Sequence, residues 1–186
     1  MAVFYVLVYS TAMDIHPILV HFPVALFTFF AILEIITIKK LKESVSFFYA
    51  KALILLAGIL GAFMALSTGE GAEHRIPWDA TTRNVIETHA FFATLTTWVF
   101  VIIGFSYLIL VIERSTLRNH TIVIKYENIY KKLLAIATWL QKYLVKILAV
   151  IGLVSITITG GLGGSIVYGK DVDPIVSFIY RLIIGQ

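Results

Sequence analysis

Four long apolar stretches, separated by short polar segments, dominate the pattern of hydrophobic and polar positions along the chain. A helix that crosses a bilayer needs about 20 mostly apolar residues, and each stretch meets that length. The pattern therefore predicts an all-α integral membrane protein, a four-helix transmembrane bundle forming a single membrane domain over residues 1–186. The spans are placed at residues 15–38, 47–67, 85–112 and 143–167.

Three further segments are apolar or amphipathic without spanning. The opening "MAVFYVLVYS" is too short to cross and lacks the features of a signal peptide, so it is interpreted as an interfacial segment or an early start codon. The segment "YENIYKKLLAIATWLQKYLVK" predicts an interfacial amphipathic helix before the fourth span, and the tail "DPIVSFIYRLIIGQ" resembles it on the opposite side. No internal repeat or second domain is evident.

Composition supports the membrane assignment and excludes several kinds of chemistry. Hydrophobic residues make up 59% of the chain and charged residues 14%, against about 45–50% and 25% in soluble domains. The absence of cysteine excludes thiol catalysis, thiolate metal clusters, disulfides and covalently attached haem. The basic residues lie at the ends of apolar runs, which indicates a role in topology and no nucleic-acid partner.

The distribution of basic residues predicts the orientation. Four spans place both termini on one side, together with the loop 69–84. The opposite side and its helix ends hold eleven lysines and arginines, whereas the terminal side holds four. By the positive-inside rule the basic side is cytoplasmic, so we expect a multi-pass protein of the cell membrane with both termini extracytoplasmic.

The histidines are the main candidates for chemistry, because four of the five fall on the predicted outer side. His21 and His89 open spans that run in the same direction, so we expect them to lie at similar depth and to face each other. Facing helices of a bundle can supply two axial imidazoles to a haem iron. We therefore predict that His21 and His89 ligate haem b. His120, in the basic loop, is interpreted as a surface residue.

His16 is assigned to a different and shallower site. It lies five residues before His21, about 140° away around a helix, so the two side chains point in different directions. Pro17 favours a first helical turn, which would make His16 a cap-like residue at the mouth of the span. Its expected partner is His74, so the sequence allows one haem or two. The alternative is that these histidines only form hydrogen bonds within the bundle.

The outer loop "GEGAEHRIPWD" has a supporting role in this interpretation. Arg75 or Arg83 is predicted to pair with haem propionates. The carboxylates and histidine of the loop also allow a zinc or non-haem iron site, although no HExxH spacing occurs. The sequence leaves three roles open for Glu34, late in the first span. It reaches the interface, it pairs with Lys51, or it takes part in a proton relay.

Several motifs resemble those of a known family. "HPILVHFPVAL" is similar to the HPxxVHFPxAL opening of a domain-of-unknown-function family of small prokaryotic membrane proteins with four predicted spans. "STGEGAEH", "ETHAFFA" and "GGLGGSIVYGKDVDP" extend the resemblance over nearly the whole chain, with departures at Ser165 and Asp173. The resemblance implies a redox-associated four-helix module with histidines suited to b-type haem. It points to His16, His21 and His89, and less firmly to His74.

The resulting hypothesis is a b-type cytochrome subunit with bis-histidine haem near the outer face. It would transfer electrons between membrane quinone and a redox partner, as one subunit of a respiratory complex in the lipid bilayer. The alternatives are a cofactor-free anchor or assembly subunit and a metal-dependent membrane enzyme or transporter.

Overall fold

The computed structural model describes residues 2–36, 41, 43–73 and 80–185, with side chains from Ile15 onward except those of Glu70 and Glu73. Within these ranges the regular elements are helices. They are α1 (Ala2–Ile35), α2 (Val45–Glu73), α3 (Ala80–Arg114), a 3₁₀ helix (Thr116–Asn119), α4 (Thr121–Lys125), α5 (Glu127–Tyr143), α6 (Val145–Tyr168) and α7 (Pro174–Ile184).

Four of these helices are long and apolar enough to cross a membrane, which confirms the all-α, four-span prediction. The qualifying segments are Ile15–Ile35, Val45–Gly69, Ala80–Arg114 and Val145–Tyr168, close to the bounds predicted from the sequence. We call the end of the bundle that contains the start of α3 and the end of α6 the histidine end, and the opposite end the basic end.

The start of α1 differs from the sequence-based expectation. The helix begins at Ala2 and continues without a break through Pro17 and Pro23. The opening segment is therefore the first part of α1 rather than a separate interfacial element, and Pro17 does not mark a helix start. Membrane helices tolerate internal proline because neighbouring groups satisfy the backbone carbonyl that loses its partner.

The bundle is closed by four pairwise packings of neighbouring helices. α1 packs against α2 and α6, and α3 packs against the same two helices, so α1 and α3 are diagonally opposed. Their aromatic side chains meet at the centre. Phe27 of α1 stacks on Phe100 of α3 with 4.0 Å between ring centroids, and Phe30 contacts Tyr107 edge-on at 5.5 Å. All four rings are almost fully buried.

Glycines on α2 and α6 make room for this aromatic centre in the same way on both sides. A Cβ atom at Gly58 would lie 2.8 Å from the Phe27 ring, and one at Gly152 would lie 2.8 Å from the Phe100 ring. The α1–α2 pair thus corresponds to the α3–α6 pair, with Phe27 matching Phe100 and Gly58 matching Gly152. This pseudo-two-fold arrangement is an internal repeat of structure that the sequence analysis did not find.

The close approach at Gly152 leads to a stability prediction. Gly152→Val should push the stacked Phe100 ring aside and lower the free energy of unfolding by about 1–3 kcal/mol, the usual cost of overpacking a core. Gly160→Val on the same helix is the matched control, since a Cβ there meets nothing within 4 Å. Thermal unfolding in detergent should show a clearly lower midpoint for Gly152→Val alone. Equal midpoints for the two variants would contradict the proposed packing.

The amphipathic helix before the fourth span is confirmed as α5. Its buried residues Tyr130 and Ala137 pack with Ile109 of α3, whereas Ile129 and Trp139 are exposed. The Tyr130 hydroxyl donates to the Glu113 carboxylate at 2.8 Å. Burial, with the charge and hydrogen bond of Glu113, raises the pKa of Tyr130 to about 12. α5 is therefore fixed to the basic end of α3 by both packing and a hydrogen bond.

The tail also forms the expected amphipathic helix, α7. The Asp173 carboxylate caps its start by accepting from the backbone N–H groups of Ile175 and Val176, at 2.8 and 2.9 Å. Ile179 packs against Leu162 of α6, while Phe178 on the other face is exposed. The apolar exposed face suits contact with lipid at the histidine end.

Candidate functional site

His16 lies on the face of α1 that contacts α2, and its side chain is half-buried. Its Nδ1 is 2.9 Å from the Thr68 hydroxyl. Gly69 lies beside the imidazole, since a Cβ there would be 3.5 Å from the His16 Cε1. The end of α2 therefore holds His16 through a hydroxyl and a glycine.

His89 occupies a corresponding position on α3 against α6. Its Nδ1 is 3.0 Å from the Thr159 backbone oxygen. Since a carbonyl only accepts, Nδ1 must carry the proton, and Nε2 keeps its lone pair. A Cβ at Gly163 would lie 3.1 Å from the His89 Cε1, so the ring rests on a position that only glycine leaves open. This environment fixes one tautomer and leaves Nε2 available as a ligand.

The two histidine environments are related by the pseudo-two-fold arrangement. The glycines beside the rings, 69 and 163, are separated by the same 94 positions as Gly58 and Gly152. Each ring also has one hydrogen-bond partner on the neighbouring helix, a hydroxyl for His16 and a backbone oxygen for His89. Each half of the bundle therefore provides one imidazole, one hydrogen-bond partner and one glycine.

Register along α1 and α3 places His16 and His89 at one level. The Tyr107 hydroxyl donates to Glu34 at 2.6 Å, a pair separated by 73 residues, and Phe27 and Phe100 have the same separation. His16 and His89 continue that series, eleven residues or about 16 Å before the stacked rings. The structure thus brings His16 and His89 to the same level of the bundle centre.

His21 does not share this position, so the expectation that it faces His89 is wrong. Its side chain is exposed, and its Nδ1 hydrogen-bonds to the backbone oxygen of Pro17 on its own helix. His21 and His16 are separated by about 140° around the helix, as expected. Because α1 continues through Pro17, however, His16 points into the bundle and His21 points away from it. The assignment of His16 to a cap-like place at the mouth is wrong for the same reason.

The remaining predicted site residues contribute less. His74 and Arg75 lie outside the described residues, so their roles stay predictions. The Arg83 Nε is 2.7 Å from the Glu87 carboxylate in an exposed pair one helical turn apart. His120 accepts from the Ile122 backbone N–H at 3.3 Å and caps α4, in agreement with its expected surface role. Within the described ranges no three histidine or carboxylate side chains gather as metal ligands.

At the basic end, Glu34 forms a buried polar cluster. The Lys51 Nζ is 2.6 Å from the Glu34 carboxylate, and both side chains are largely buried. The expected alternative that Glu34 pairs with Lys51 is therefore confirmed. Tyr107 donates to the same carboxylate oxygen, which is thus shared by two donors.

Sequence reasoning missed three residues beside the imidazoles, Thr68, Thr159 and Gly69. The sequence does contain a pattern that could have indicated Gly69. In each half a glycine follows eleven residues after the glycine that contacts the central phenylalanine. The meaning of this repeated spacing becomes clear only once the fold matches Gly58 with Gly152.

Comparison with known proteins gives a family but no characterised relative. Residues 12–174 match the family model described as predicted membrane protein, DUF2231. No curated protein and no solved structure matches the chain. The matched region contains all four candidate spans as well as His16 and His89. The chain therefore belongs to the DUF2231 family of predicted membrane proteins.

Proposed function

We propose that the chain is a b-type cytochrome subunit that binds one haem b between His16 and His89. One observation carries the proposal: the two imidazoles lie at the same level on diagonally opposed helices, each hydrogen-bonded to its neighbouring helix. His16 and His89 would hold the haem from opposite halves of the bundle, one residue from each half.

The residues present fit the demands of such a group. Haem iron in bis-histidine cytochromes takes neutral imidazoles, and ligating histidines usually donate their second N–H to a carbonyl or carboxylate. His89 makes that bond to the Thr159 backbone oxygen, and the His16 Nδ1 is hydrogen-bonded to the Thr68 hydroxyl. These bonds would orient both rings and increase their basicity as ligands. When bound, haem would supply reversible one-electron chemistry.

The proposal contains one haem, although the sequence allowed two. The sequence predicts a second site that pairs His16 with His74, whereas the proposed haem site uses His16 together with His89. His21 would be the remaining candidate, and its exposed ring is bonded to its own helix. Within the described part of the chain, no second pair of facing histidines supports another haem.

We further propose that the haem passes electrons between membrane quinone and a redox partner at the histidine end. The spans expose apolar side chains on their outer surfaces, such as Leu53, Leu60 and Val154, so a lipid-soluble carrier can approach from the bilayer. The haem position near one end of the bundle favours a partner subunit on that side. The chain would then be an electron-transfer subunit rather than the catalytic one.

A cofactor-free anchor or assembly subunit is the second candidate, favoured by the fact that both imidazoles already have hydrogen-bond partners. In that case the histidines stabilise the bundle by joining α1 to α2 and α3 to α6. Replacing both would then lower stability without changing any absorbance in the visible range.

The reduced-minus-oxidised absorbance spectrum of protein purified from haem-replete cells tests the proposal. We expect an α band of b-type haem and a ratio of about one haem per chain, as two axial ligands define one iron. Protein that is folded and haem-free under these conditions would exclude the cytochrome and leave the anchor function.

A further inference from the structure

A cavity lies at the basic end of the bundle, far from the histidines. Its volume is about 370 Å³, and it is bounded by α1, α2, α3, α5 and the start of α6. Apolar side chains such as Leu33, Phe47 and Leu110 form part of its wall. Basic side chains from four helices form another part: Lys51, Arg114, Lys142 and Lys146.

The cavity carries an excess of positive charge. Among the described residues that line it, Glu34 is the one carboxylate, and Lys51 compensates its charge at 2.6 Å. Of the other three cations, Arg114 and Lys142 have no carboxylate partner among the described residues of the cavity wall. Two of them lie against aromatic rings, Arg114 at 4.1 Å from the Phe48 centroid and Lys142 at 4.9 Å from Tyr143. These contacts hold the cationic groups at the wall.

We propose that this cavity binds the phosphate of an anionic phospholipid. Arginine and lysine are the groups that bind phosphate oxygens by charge-assisted hydrogen bonds. The cavity lies where the apolar spans end and beside the amphipathic helix α5, which is the level of lipid headgroups. Its wall combines cations with apolar side chains, and this combination matches a phosphodiester attached to acyl chains better than a free phosphate ion.

The proposal does not depend on haem binding. His16 and Glu34 are eighteen residues apart on one helix, so the two sites are separated by about 27 Å along the bundle. The bound lipid would connect α5 and α6 to the first three helices through one shared anion. Loss of the lipid would be expected to loosen the basic end and leave the histidine end unchanged.

Binding of phosphatidylglycerol to delipidated protein, followed by native mass spectrometry, tests the site. The double variant Arg114→Gln/Lys142→Gln should bind about 25-fold more weakly, since each basic residue near an anionic headgroup contributes about fivefold. Lys131→Gln/Lys132→Gln is the matched control, because these lysines lie on α5 outside the cavity wall. It should bind like the wild type. If the double variant does not fold, the single variant Lys142→Gln provides the test. It should bind phosphatidylglycerol with an affinity between those of the wild type and the double variant.

Three outcomes would overturn the proposal. The first is an equal loss in the cavity and control variants, and the second is equally tight binding of zwitterionic phosphatidylcholine. The third is binding of inorganic phosphate that depends on Arg114 and Lys142 while phosphatidylglycerol binding does not. That last result would assign the cavity to a soluble phosphate compound instead of a lipid.

Discussion

His16→Ala and His89→Ala are each expected to abolish the low-spin haem spectrum, whereas His21→Ala is expected to retain it. His16 and His89 lie at the same level on opposed helices, and in the proposed site either substitution would remove one of the two ligands of the iron. His21 is exposed and bonded within its own helix, so its loss leaves both ligands in place. Absorbance spectra of the oxidised and reduced proteins, with haem content per chain, measure the effect.

Free imidazole distinguishes a lost ligand from a misfolded bundle. If His89→Ala leaves a folded protein with one vacant axial position, added imidazole should restore the low-spin spectrum. The account would be contradicted by a His21→Ala variant that loses its haem while His16→Ala keeps it. That result would restore the ligand pair predicted from the sequence.

Lys51→Met is expected to lower the free energy of unfolding by about 3–5 kcal/mol, the cost of leaving one member of a buried ion pair without its partner. Glu34 is buried to all but 10% of its side chain, and Tyr107 would remain as a donor to its carboxylate. The double variant Lys51→Met/Glu34→Leu should recover most of the loss, because an apolar pair needs no counter-charge. Equilibrium unfolding in detergent measures all three proteins.

Lys131→Met is the control for this series, since Lys131 is 64% exposed in its pair with Glu127. An exposed pair of this kind contributes about 0–1 kcal/mol. The interpretation fails if Lys51→Met costs no more than Lys131→Met. It also fails if the double variant is as unstable as Lys51→Met alone.

The spans, and the location of His16 and His89 at the same end of the bundle, could be predicted because they depend on long-range averages of hydrophobicity. Twenty apolar residues in a row allow few structures other than a membrane helix. The bounds found for the second and fourth spans differ from the prediction by only a few residues. The placement of His89 on the third span followed in the same way. The pairing of Glu34 with Lys51 was one of three alternatives that the sequence left open, and the structure selects it.

The inward direction of a given histidine could not be predicted, because it depends on helix rotation. The nearly uniform apolarity of α1 gives no polar face from which rotation can be inferred. Pro17 favours a helix start beside His16, and on that basis the sequence predicts His21 at the centre in place of His16. The separation of 73 residues shared by Phe27/Phe100 and Glu34/Tyr107 gives the correct rotation, but these contacts are known only from the fold.

The fold assigns different chemistry to the two ends of one bundle. The histidine end holds two imidazoles in corresponding settings, and the basic end holds a cavity lined by cations. Between them, the stacked and buried aromatic rings fill the centre. A defect at one end should therefore have little effect on the other, and variants of Lys51 or Arg114 that remain folded should keep the haem spectrum of the wild type.

The electron paramagnetic resonance spectrum of the oxidised wild-type protein tests the central claim most directly, because it reports the axial ligands of the iron. We predict a low-spin signal of bis-imidazole haem that disappears in His16→Ala and in His89→Ala and persists in His21→Ala. A high-spin signal in the wild type, or a low-spin signal that survives the loss of either His16 or His89, would contradict the account.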